Sequence, residues 1–185
     1  MTREEAIRIF TANNPDIFEK PWVREMPPEE TMAELILDLK ADTPLPCPTP
    51  EGVTFGVYQG SLAQLRQAEG AINPRWIPYF EEAERVFCAY GWDGLILGCC
   101  ILENMGEHEV QGKHLRIAGP GCVGVLPTFR RQGVGLAMVR EATLALRQDG
   151  YDLSWIHYTG LAHWYGKLGY RTVLTWNGQK GFLED

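Results

Sequence analysis

A chain of 185 residues, 45% apolar and 22% charged, has room for one full hydrophobic core and little more than a small appendage. A formal net charge of -7 argues against nucleic acid or an anionic membrane as the main partner, since both are gripped by a basic face. The same surplus of carboxylates suits a cationic ligand such as an amine, and equally suits a solvated acidic surface.

The opening "MTREEAIRIF" carries charges where a signal peptide has its apolar segment. The longest apolar run, residues 95–102, falls far short of the roughly 20 residues a membrane helix needs. A cytoplasmic protein is therefore expected. Residues 1 to about 43 read as helical: Thr2 and Glu5 form a capping box, and "PPEETMAELILDLK" spaces Met32, Leu35, Ile36 and Leu39 on one helical face. Prolines at 44, 46, 48 and 50 make "TPLPCPTPEG" an extended connector. The expected division is residues 1–50, a helical extension with its connector, and 51–185, the main domain.

Beyond the connector, alternating Val53, Phe55 and Val57 suit a strand. Ser61 caps a helix over "LAQLRQAEGAI", and Asn73-Pro74 opens another through "RWIPYFEEAERV". "VFCAY" and "LILGCCILEN", joined by "GWDG", read as a hairpin. "MGEHEVQGKH" reads as a loop leading into the strand "LRIAGPGCVGVL". A long helix with Val139, Ala142, Thr143 and Leu146 on one face stops at Gly150. "YDLSWIHYT" is a strand, "GLAHWYGKLG" a short helix and "YRTVLTW" a last strand. The order gives an α/β fold with a mixed sheet. Cys88, Cys99, Cys100 and Cys122 fall in apolar runs without metal-ligand spacing, so reduced thiols and no metal are expected.

Two glycine clusters adjoin in "GPGCVGVLPTFRRQGVG". The first, Gly119 to Gly124, fits the dinucleotide pattern GxGxxG, which needs a helix to open at once. Val123 and Val125 favour extended chain, and Pro127 would delete a donor from that helix's first turns. Glycines there mark a bulge or close backbone approach instead. The second cluster, Arg130-Arg131-Gln132-Gly133-Val134-Gly135, does sit where a helix begins. Free amides around Arg131 to Leu136 suit a diphosphate, and the glycines let it come close.

"VGVLPTFRRQGVGLAMVREAT", followed by "LAHWYGKLGY", resembles the GNAT (Gcn5-related) family of acyl-CoA-dependent N-acyltransferases over residues 52 to 176. The resemblance implies a mixed, mostly antiparallel sheet with a splayed parallel strand pair, flanked by helices. It implies acetyl-CoA as co-substrate, with Val123 and Val125 on the pantetheine arm and Arg130, Arg131, Gln132, Gly133, Val134, Gly135 and Leu136 around the diphosphate. Tyr165 matches the family's acid; Leu161, Trp164, Tyr165 and Leu168 also make a core stripe. The base is left among Glu103, His157, His163 and water. Tyr158 stands where many relatives carry an asparagine that bonds the coenzyme.

The acceptor implied is a primary amine of a small molecule or peptide, met by Trp76, Tyr79, Phe80, Glu81 and Glu82. The N-terminal helices would cover that cleft or pair with a second subunit in a homodimer. The expected activity is acetyl transfer by direct attack on the thioester. A non-catalytic acyl-CoA-binding sensor or assembly module is the alternative, and a nicotinamide-dependent oxidoreductase would rest on GPGCVG alone.

Overall fold

The computed structural model describes residues 1–184. In chain order its elements are α1 (Arg3–Asn13), α2 (Pro21–Arg24), β1 (Met32–Asp38), β2 (Thr54–Val57), α3 (Leu62–Ile72), α4 (Ile77–Glu82) and β3 (Val86–Tyr90). There follow β4 (Ile96–Val110), β5 (Lys113–Val125), α5 (Val134–Gln148), β6 (Leu153–Thr159), α6 (Ala162–Gly166), β7 (Arg171–Asn177) and β8 (Gly181–Phe182). Local chemistry explains the helix starts. The Thr2 hydroxyl accepts from the Glu5 amide while the Glu5 carboxylate accepts from the Thr2 amide, and Ser61 caps α3 through the Gln64 amide.

All eight strands form one sheet in the order β2-β3-β4-β5-β6-β1-β7-β8, antiparallel except for β5 beside β6. On one face α5 and α6 pack over Leu35, Leu37, Phe87, Cys100, Leu102, Ala118 and Ile156. On the other, α1 covers Ile36, Ile117, Trp155, Leu174 and Trp176, and α3 with α4 covers Cys88, Ile96 and Cys99.

Two expectations are overturned. Residues 27–40 were expected to hold a helix; the structure makes β1 there, paired with β6 on one side and β7 on the other. The spacing of Met32, Leu35, Ile36 and Leu39 fits a helix, but Ala33 to Leu37 is an unbroken buried run. Such a run is the mark of a strand covered on both faces, with Leu35 and Leu37 towards α5 and Ile36 towards α1. Residues 105–114 were expected to be a loop. They instead prolong the hairpin, β4 pairing with β5 out to Val110 and Lys113. Gln111 and Gly112, at φ 51° and 73°, are the two-residue turn that right-handed strand twist favours.

Candidate active site

The site is built where β5 and β6 part. Their parallel ladder holds Ile117 with Leu153 and Ala118 with Ser154, and among the described residues it goes no further. Gly119 lies at the fork: a Cβ there would meet the Trp155 carbonyl oxygen at 1.6 Å, an overlap no side chain tolerates. β6 stays with β1 as far as Thr159, and its Tyr158 turns through φ 52°. β5 stays with β4 but bulges, the register slipping between Cys99 and Ile101 with Cys122 at φ 48°. Bulges bend a strand and sharpen its twist. Val123 and Val125, half-buried, therefore lie on an edge of β5 that β6 no longer covers.

That edge leads directly to the start of α5. Residues 127–129 make one tight turn, then Arg131 (φ 62°) and Gly133 (φ 85°) both adopt left-handed backbone. Gly133 is the helix N-cap and offers no side-chain acceptor. The first-turn amides of Val134, Gly135 and Leu136 accordingly lack a cap, which leaves a concave, electropositive rim. Arg131, Gln132 and Gly133 are exposed. Arg130 behaves differently: its guanidinium donates to the carbonyls of Val125 (2.9 Å) and Ile72 (3.4 Å), tying the loop to β5 and α3. Gln132 likewise braces the turn through the Thr128 carbonyl, at 2.8 Å. At Gly135 a Cβ would meet Val125 at 3.2 Å and Trp164 at 3.5 Å.

Tyr165 and Glu103 belong to opposite faces of the parted strands. Tyr165 is buried among the residues of the α5 face, edge-on to Trp164 (4.7 Å) and Tyr170 (6.2 Å). Burial pushes its phenol well above the ordinary value, helped by the thiols of Cys100 and Cys122 nearby. On the other face Nε2 of His157 lies 3.0 Å from Oε2 of Glu103. The pair sits over Gly121, where a Cβ would be 3.4 Å from Glu103 and 3.6 Å from His157. The hydrogen bond from His157 holds the Glu103 carboxyl below its usual range despite partial burial. For His157, burial is the strongest influence and lowers its pKa. The hydrogen bond and charge of Glu103, with the charge of Glu34, outweigh it and leave the imidazole more basic than usual.

Of the remaining candidates, His163 is exposed on α6, away from this pair. Tyr158 points to α1, its hydroxyl bonded to Asn14 and its ring stacked on His157 at 4.4 Å. In α4 Phe80 is buried in the core, Glu81 is paired with Arg66, and Tyr79 is exposed. Trp76 leans on Gly124.

Sequence reasoning passed over two buried carboxylates. Glu34 belongs to β1, which read as a helix. Glu69 could have been found on α3, since Leu65, Glu69 and Ile72 share the buried helix face. Neither oxygen of Glu69 has a partner, and burial pushes its pKa up to about 7, with Cys99 pulling against it. A carboxyl whose folded pKa exceeds its unfolded value stabilises the protein below that unfolded value. The contribution fades as pH rises towards the folded value. Glu69→Met should therefore flatten the dependence of denaturation midpoint on pH between about 5 and 8, and gain on the order of 2 kcal/mol at the upper end. Urea titrations at several pH values measure it.

Among the described residues no helix is long and apolar enough to cross a membrane, and no group of three or more His, Cys, Asp or Glu side chains is arranged to hold a metal ion. Residues 82–172 match the family model described as "Acetyltransferase (GNAT) domain". No curated protein matches the chain. Among solved structures, one similar fold is the GCN5-related glucosamine N-acetyltransferase region of a fungal multi-domain GH3 β-N-acetylglucosaminidase: TM-score 0.66, 22% identity, covering 80% of this chain and 20% of that one. Another is a GCN5-related N-acetyltransferase from Kribbella flavida, with TM-score 0.56, 22% identity, and 80% and 56% of the two chains covered. A third, from Sphaerobacter thermophilus, has TM-score 0.52, 20% identity, and coverage of 77% and 48%. The chain thus spans 20% to 56% of the lengths of these structures. The family match, across the parted strands and the α5 start and on a mixed sheet of the same fold, identifies residues 82–172 as an acetyltransferase domain of the GNAT type.

Proposed function

We propose that this protein transfers an acetyl group from acetyl-CoA to a primary amine of a small molecule or peptide. The observation that carries the reading is the open β5 edge running into the uncapped start of α5, with a phenol on one face and a carboxylate–imidazole pair on the other. The residues fit the co-substrate. Val123 and Val125 offer backbone groups to the pantetheine amides as a missing strand would. The amides from Arg131 to Leu136 receive the diphosphate, Arg131 adds charge, and Arg130 braces the loop.

Glu103 and His157 accept the proton of the ammonium, freeing its lone pair. The amine nitrogen bonds to the thioester carbon, and the Val125 amide steadies the oxyanion. As the C–S bond breaks, the electron pair leaves with sulfur and Tyr165 supplies the proton that makes the thiol, while the extra proton still on the former amine nitrogen is released through solvent and restores the phenol. His157 works as a base only once neutral. Its raised pKa places the rise of kcat/KM with pH above the ordinary histidine value of about 6.5. Removing the Glu103 charge should move that rise to lower pH; Glu103→Gln, assayed from pH 5.5 to 9.5, checks it.

The deciding experiment measures thiol release from acetyl-CoA with a panel of primary amines, polyamines, peptides and amino sugars. Glucosamine is included because the fungal region is described as a glucosamine N-acetyltransferase. Amine-dependent release with product acetylated on nitrogen supports the reading. A thermal shift with CoA but no release above background for any amine points to the binding module instead, since a ligand bound only by the native state raises its stability.

A further inference from the structure

Glu34 sits mid-strand in β1 with no exposed surface, yet it is fully engaged. Its carboxylate accepts from Nε1 of Trp155 at 2.7 Å, from Nε1 of Trp176 at 2.9 Å and from the Tyr158 amide at 3.1 Å. Two of these donors bracket His157 along β6. The bond to the Tyr158 amide pins the residue in left-handed backbone that stacks its ring on the imidazole at 4.4 Å and 15°. Asn14 holds the far end of the same ring through its hydroxyl. The orientation of His157 is thus held by residues that precede the proline connector.

Charge points the same way. Nδ1 of His157 is buried without a partner, so no hydrogen bond receives the second proton of an imidazolium. Its stabilisation has to come from nearby negative charge. The titratable groups around it are Glu103 from β4, Glu34 from β1 and Tyr158 on its own strand, with Tyr79 of α4 acting on Tyr158. Glu34 for its part has three neutral donors and no cationic partner among the described ion pairs. Burial raises the pKa of the Glu34 carboxyl; the charge of His157 and then the three donors work against that and favour the ionised form, so His157 is its counter-charge.

We propose that Glu34 is a positioning residue for the Glu103–His157 pair: it fixes the β6 bend that aims the imidazole and supplies the second negative charge that steadies the imidazolium once the amine's proton arrives. The role rests on the acetyl-transfer reading above, but its test does not need turnover. His157 ring signals are followed by NMR against pH in the wild type, in Glu34→Gln and in Trp176→Phe, which deletes one hydrogen bond to Glu34 while keeping its charge. The expected result is a lower titration midpoint for His157 in Glu34→Gln and a wild-type midpoint in Trp176→Phe.

In the amine assay, Glu34→Gln should lower kcat several-fold, about tenfold at most, and shift the rise with pH to lower values, with KM for acetyl-CoA unchanged. Should Glu34→Gln not fold, Glu34→Asp keeps the charge but withdraws it, and a smaller downward shift is expected. An unmoved His157 midpoint in the folded Glu34 variant overturns the proposal, as does an equal shift in Trp176→Phe. Wild type that acetylates no amine overturns the acetyl-transfer reading alone, because the NMR titration still decides the part played by Glu34.

Discussion

Tyr165→Phe is expected to lower kcat about 100- to 10,000-fold, the range for loss of a positioned general acid, while CoA affinity changes less than about twofold. The phenol is buried and makes ring contacts with Trp164 and Tyr170 that phenylalanine reproduces. Its hydroxyl is not needed to hold α6, which is fixed by backbone bonds from Trp164 and Tyr165 to the Leu161 carbonyl. A structural aromatic would therefore leave turnover intact. Because burial raises its pKa, Tyr165 stays protonated across the working range and adds no alkaline decline of its own near neutrality. Steady-state kinetics with calorimetric CoA binding separates the two parameters, and parallel loss of both would remove Tyr165 from the chemistry.

The second large effect is on folding. A chain lacking residues 1–40 is expected to give no cooperative unfolding transition by circular dichroism or calorimetry. Nine apolar side chains larger than alanine, from Ile9 to Leu39, are buried in that segment. At roughly 2 kcal/mol each they contribute on the order of 15–20 kcal/mol, above the 5–15 kcal/mol by which most domains are stable. Deletion also strips β6 and β7 of the strand between them. A milder variant, Ile36→Ala, keeps the ladder and should cost about 2–5 kcal/mol. A truncated chain that melts like the full one would mean that β1 is dispensable.

The legible parts of the sequence were those where local chemistry and tertiary context agree. The stripe Val139, Ala142, Thr143 and Leu146 is fully buried in α5, and Gly150 stops it at φ 82°. The failure of GPGCVG as a helix start follows from Pro127 and two valines, and those glycines do lie on a bulged strand that forks at Gly119. β1 was hidden because one segment satisfies two periodicities, and only distant partners decide between them. The β4–β5 extension was hidden because its outer half is polar, leaving Gln111-Gly112 as its one local sign. The nearness of Glu103 to His157 depends on the register across β4, β5 and β6, which no short stretch encodes. Glu34 was invisible for the same reason that β1 was.

The place of β1 also constrains the order of biosynthesis. Ala33 pairs with Thr159 and Ile36 with Arg171, so each bond spans well over a hundred residues. At about 5–20 residues per second, a ribosome releases residues 35–39 some 6–25 s before their partners exist. During that interval an apolar, strand-forming nascent segment has no native edge to join. Closing the sheet is thereby deferred until residues 153–177 have emerged, and slow, late formation is what such distant pairing imposes.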